Sequence, residues 1–100
     1  MGVRITVVKR SLNQDIADAF FPERKGKIVP CSVFQDGQVF EITGRLPEKP
    51  EGFCDWAWVD IHQIVAMAAV GVEPPHGLAF PCCTDGFRPV TFRVEPIASE

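Results

Sequence analysis

The segment from Trp56 to Val70 constrains this chain more than any other. Trp58, Ile61, Val65 and Ala68 recur at helical spacing, and Ile64 and Met67 widen the stripe they form. Only Asp60, His62 and Gln63 are clearly polar across that stretch. A helix with so little polar surface must bury most of its circumference against something broad, and a β-sheet is the natural partner. Asp55 precedes it as a candidate N-cap and Gly71 follows it as a candidate terminator.

Alternation supplies the sheet. Val3, Ile5 and Val7 alternate with Arg4 and Thr6, the pattern of a half-buried strand. Asn13 or Asp15 is placed to cap a short helix through Phe20 and Phe21, which Pro22 then stops. Ile28 to Phe34 is apolar but broken by Pro30. With the Asp36-Gly37 turn and the alternating Gln38 to Thr43, it reads as an irregular hairpin. Leu78 to Cys83 and Val90 to Glu95 read as two more strands around the Thr84-Asp85-Gly86 turn. The expectation is an α+β fold: a small, mainly antiparallel sheet with one long helix packed on a face. The expected order is β-α-β-β-α-β-β, in a single domain over residues 1–100. Val3, Ile5, Val7, Phe40, Ile42, Ile61, Val65, Phe92 and Val94 are its expected core.

A chain of 100 residues buries roughly 60–70% of its unfolded surface, enough for one core without staples. The ten basic residues are scattered and the net charge is −3, which argues against binding a phosphate backbone. Arg24, Lys25 and Lys27 form the only local basic cluster and read as a solvated loop. The longest apolar run, Ile64 to Val72, is far short of the roughly 20 residues a membrane span needs. With no secretion signal at the N-terminus, the four cysteines are expected as reduced thiols in a cytoplasmic protein.

Those cysteines carry most of the chemistry on offer. Cys31, Cys54, Cys82 and Cys83 are candidate ligands for zinc or another thiophilic metal. Their spacing lacks the usual C-x-x-C pairs, and neighbours on a regular strand face opposite ways, so buried inert thiols are the competing reading. Cys54 lies beside the start of the long helix, where unpaired amides and the helix dipole favour a thiolate. It is the candidate nucleophile or redox thiol; packing between Phe53 and Trp56 is the plainer alternative. Trp56 and Trp58 diverge around the helix, so one of them faces away from the core and can wall a pocket. Arg88 either grips a carboxylate or phosphate, or pairs with Asp85 or Asp55 and pins its turn; the structural role is the expectation. His62 and His76 lack a named partner and read as ordinary surface histidines. No Ser-His-Asp pattern, glycine-rich phosphate loop or H-E-x-x-H motif is present.

Two segments, Gly52-Phe53-Cys54-Asp55-Trp56-Ala57-Trp58 and Cys82-Cys83-Thr84-Asp85-Gly86-Phe87-Arg88-Pro89-Val90, resemble the signatures of an uncharacterised family of small bacterial and archaeal proteins. Cys31-Ser32-Val33-Phe34 with Gly37 and Phe40 is similar to a third signature, C-P-x-F followed by G-x-x-F, with Ser32 where proline is usual. The resemblance runs from Ile5 to the last strand. It implies no activity, but it does imply that Cys31, Cys54, Cys82 and Cys83 belong to one shared site.

Three functional expectations arise, in order. The first is a metal- or thiol-centred binding site where these cysteines converge beside the helix start. The second is an enzyme or small-molecule binder, with Cys54 as reactive thiol, Arg88 and Asp55 holding a small anionic molecule and Trp56 as a wall. The third is an interaction module that docks on a protein partner, with a homo-oligomer left open. An apolar pocket lined by thiols favours the second, and a flat aromatic patch the third.

Overall fold

A computed structural model of the chain describes residues 1–98. Its central element is strand β1, Gly2–Arg10, which puts Val3, Ile5 and Val7 on one face with no exposure at all. The opposite face carries Arg4, which bonds Glu41 at 2.8 Å and Glu95 at 3.2 Å on its two neighbours. These are cross-strand pairs, and they fix which face meets water. The neighbours are β2, Val39–Thr43, and β3, Val90–Ile97, giving a three-stranded antiparallel sheet in the order β2-β1-β3. Between them in sequence come α1, Gln14–Phe20, and the long helix α2, Asp55–Ala69. Short 3-10 turns occupy Pro22–Arg24 and His76–Ala79.

Helix α2 lies on the apolar face of the sheet, burying Ala57, Ile61, Val65, Ala68 and Ala69. Phe34, Phe53 and Phe92 fill the space at one end, with ring centroids 4.9 to 5.4 Å apart. Of the expected core, Phe40 and Ile42 are only partly buried, because β2 is an edge strand, yet both pack on the cluster. Helix α2 ends as Gly71 suggested. The Gly71 N–H bonds the Ala68 carbonyl at 2.9 Å and the Val72 N–H bonds the Met67 carbonyl at 3.2 Å, with Gly71 at φ +83°. This is a Schellman arrangement, and it satisfies carbonyls that the helix itself leaves open.

Three expectations need correction. Ile28 to Phe34 is not a strand paired with β2. Pro30 has no N–H for a ladder, Val29 and Val33 are exposed, and β2 pairs with β1 instead, from Gly2↔Thr43 to Thr6↔Val39. Leu78 to Cys83 is not a regular strand: Leu78 and Ala79 end a 3-10 turn, and only Pro81 to Cys83 runs beside β3, through an isolated Cys82–Thr91 bridge and backbone bonds with Val90 and Phe92. The order of regular elements is therefore β-α-β-α-β. The N-cap of α2 is Cys54, with φ −64° and ψ 129°, and Asp55 is the first helical residue. The β1–β3 register shifts between Val7 and Lys9, so Val8 is an extra residue that bulges outward. Among the described residues, no helix is long and apolar enough to cross a membrane.

Replacing Gly71 by alanine forces a side chain into the left-handed region. It is expected to lower stability by about 1 kcal/mol or more, read as a lower urea midpoint with unchanged slope.

Candidate functional site

The end of β1 holds the loops that form the site. Past the Val8 bulge, the Arg10 guanidinium bonds the Cys31 carbonyl at 2.8 Å and Asp36 at 3.0 Å, anchoring the loop that carries Cys31 and Phe34. The Ser11 N–H bonds the Pro89 carbonyl and the Asn13 N–H bonds the Phe87 carbonyl, each at 2.8 Å. The Asn13 side-chain amide donates to the Gly86 carbonyl at 2.7 Å. The Thr84–Pro89 turn is thus tied to the same strand end. On the third side, Lys49 bonds the Phe53 carbonyl at 2.9 Å and the Asp55 carboxylate at 2.7 Å, setting the angle at which the chain begins α2.

These three segments enclose a cavity of about 270 Å³. Cys31, Cys54 and Cys83 stand on its wall with Phe34, Trp56, Ala57, Thr84, Asp85, Arg88 and Val90. All three of those cysteines are half-buried, and all four in the chain are free thiols. Cys54 makes no capping bond with its side chain. The Cys83 sulfur accepts the Val90 N–H at 3.3 Å while its own N–H bonds the Val90 carbonyl at 3.0 Å, which fixes it inward. Cys82 faces the other way, as strand neighbours do, and does not line the cavity. Its thiol donates to the Cys83 carbonyl at 3.1 Å. Burial, with the charges of Cys83 and Asp60, pushes that thiol's pKa up against a hydrogen bond with Thr91. Asp55 also lies outside the wall, its side chain 90% exposed beside Lys49.

The helix start and the Thr84 turn are joined by a latch that sequence reasoning missed. The Trp56 indole N–H donates to the Thr84 hydroxyl at 2.6 Å, and that hydroxyl donates to Asp60 at 3.0 Å. The Thr84 backbone N–H also donates to Asp60, at 2.8 Å. Trp56 and Asp60 are four residues apart on α2 and therefore share a face, which is the signal that could have found Asp60. Trp56 is the outward member of the tryptophan pair, 68% exposed, whereas Trp58 packs against Phe53 and His62. His76 sits at φ +48° at the start of an exposed turn.

Arg88 pairs loosely with Asp85 and lines the cavity as well. Its Nε lies 3.6 Å from Asp85, whose other oxygen accepts the N–H groups of Phe87 and Arg88 at 2.9 and 3.0 Å. Partial burial works against ionisation of Asp85. The bonds from Arg88 and Phe87 and the Arg88 charge outweigh it, holding the carboxyl below its ordinary value. At 3.6 Å the ion pair is loose, so most of the guanidinium's donors stay free. Among the described residues, no group of three or more His, Cys, Asp or Glu side chains is arranged to hold a metal ion. What the site offers is a mainly apolar cavity with thiols on its wall and a cation beside it.

No protein-family model, curated protein or solved structure matches this chain.

The lowered pKa of Asp85 has a defined sign. Folding favours its ionised form, so its contribution to stability is present above the ordinary value of about 3.9 and is lost as pH falls through the lowered folded one. Asp36, lowered by its hydrogen bond from Arg10, acts in the same direction. The Asp85→Asn variant is expected to lose part, not all, of the acid-side fall in stability, seen in urea midpoints from about pH 5 downward.

Proposed function

We propose that this chain is a small-molecule-binding protein that takes a partly apolar, anionic ligand. Arg88 anchors the charge, Trp56 covers the apolar part and Cys54 is the reactive thiol within reach of the bound molecule. One observation supports the reading above the rest: thiols from three separate segments, Cys31, Cys54 and Cys83, share the wall of one mainly apolar cavity with Arg88. Apolar walls with a few convergent polar groups are the usual make-up of ligand sites. The volume of about 270 Å³ falls just below the customary range of roughly 300–1,000 Å³, which suits a small ligand. A guanidinium beside a low-dielectric cavity selects anions and aligns them against a neighbouring thiol.

The three thiols also support a second reading, uptake of zinc or another thiophilic ion with the side chains of Cys31, Cys54 and Cys83 drawn together around it. Near-stoichiometric metal in protein purified without an affinity tag, lost in Cys54→Ser, would put this reading in place of the first.

Alkylation separates charge from reactivity. Iodoacetate is an anion and iodoacetamide is its neutral counterpart. With Arg88 as anchor, the ratio of iodoacetate to iodoacetamide rates at Cys54, read by mass spectrometry, is expected to fall several-fold in Arg88→Gln. An unchanged ratio removes Arg88 from the role of anchor.

A further inference from the structure

Next to the thiol cavity is a second hollow, of about 290 Å³ and open at the surface, lined by Phe21, Arg24, Ile28, Asp85, Phe87 and Arg88. Asp85 and Arg88 belong to both walls, so the Thr84–Pro89 turn borders both spaces and Arg88 can face either. Two guanidiniums therefore border the second hollow against one carboxylate. That carboxylate is engaged already, by the N–H groups of Phe87 and Arg88. Arg24 has no carboxylate partner among the described residues. Its backbone is nevertheless fixed: the Arg24 N–H bonds the Phe21 carbonyl at 2.9 Å, and the Arg24 carbonyl accepts the Lys27 N–H at 2.9 Å. Phe21 and Phe87 meet edge to face, centroids 5.4 Å apart, and give the hollow an aromatic wall.

We propose that Arg24 and Arg88 form an oxyanion site that holds the phosphate or carboxylate head group of a small ligand, with Phe21 and Phe87 beside it. Each guanidinium presents planar paired donors that match such oxygens. The surplus of positive charge in the hollow favours an anion, and the fixed 3-10 turn at Pro22–Arg24 keeps the Arg24 backbone in place beforehand. The inference rests on the reading of Arg88 as an anion anchor and extends it to a second arginine from a distant segment.

The test is a titration of the wild-type chain with inorganic phosphate and, separately, with benzoate, followed through the Nε–H NMR signals of the arginines. At least one of the two anions is expected to shift both Arg24 and Arg88, and the one that binds more tightly identifies the head group. Arg24→Gln should weaken that binding by about tenfold, and Arg24→Lys, which keeps the charge but not the fork, should recover only part of it. The Arg24 side chain makes no hydrogen bond among the described residues, so these variants should melt with the wild type. Binding unaffected by Arg24→Gln but weakened by Arg88→Gln overturns the two-arginine site and leaves the Arg88 anchor standing. Binding unaffected by either variant, or no shift at Arg24 with either anion, overturns the site outright.

Discussion

At the end of β1 the sheet runs out of ladder partners before the strand runs out of donors. β2 pairs with β1 as far as Thr6 and β3 as far as Arg10, past the Val8 bulge, so the Arg10 side chain, Ser11 and Asn13 lie at or beyond the end of the ladder with bonding groups still to satisfy. They satisfy them with carbonyls of two distant loops, those of Cys31, Gly86, Phe87 and Pro89. Backbone polar groups rarely stay unpaired when water is excluded, which favours the Ser11 and Asn13 N–H bonds once the core has formed, and the Arg10 and Asn13 side chains add to them. The cavity exists because both loops are held against one strand end while α2 begins opposite them.

Beneath the cavity the packing is mainly aromatic. Phe34 comes from an irregular loop, yet it is 1% exposed and touches Phe40, Phe53 and Phe92. Burying such a ring contributes about 1.5–3 kcal/mol, and each well-set ring pair adds about 0.5–1.5 kcal/mol. Phe34 thus fastens from inside the loop that Arg10 fastens from outside. Cys31, Cys54 and Cys83 pack against this aromatic cluster, which sets where the segments that carry them sit.

Much of this was legible in the sequence because period and terminators agreed. The stripe from Trp58 to Ala68 with Gly71 after it defined α2 to within a residue or two at each end, and alternation defined β1 and β3. Alternation also placed β2 but misassigned its partner, since a hairpin with Ile28 to Phe34 is nearer in sequence than pairing with β1. Pro30 was the physical hint against that hairpin. At the site, Cys31, Cys54, Cys83, Trp56 and Arg88 line one wall, while Cys82 and Asp55 fall outside it. Asp60, Arg10 and Asn13 were not legible as residues that shape the site. Each acts through long-range contacts, and nothing in local periodicity reports such contacts.

The Trp56–Thr84–Asp60 latch joins two lips of the cavity with exposed polar groups alone. Parting them leaves the phenylalanine floor untouched, for Trp56 is already mostly exposed to solvent. Opening the mouth therefore costs less than unfolding the body, and substitutions at Trp56, Asp60 or Thr84 change access to the cavity while leaving the floor beneath it in place.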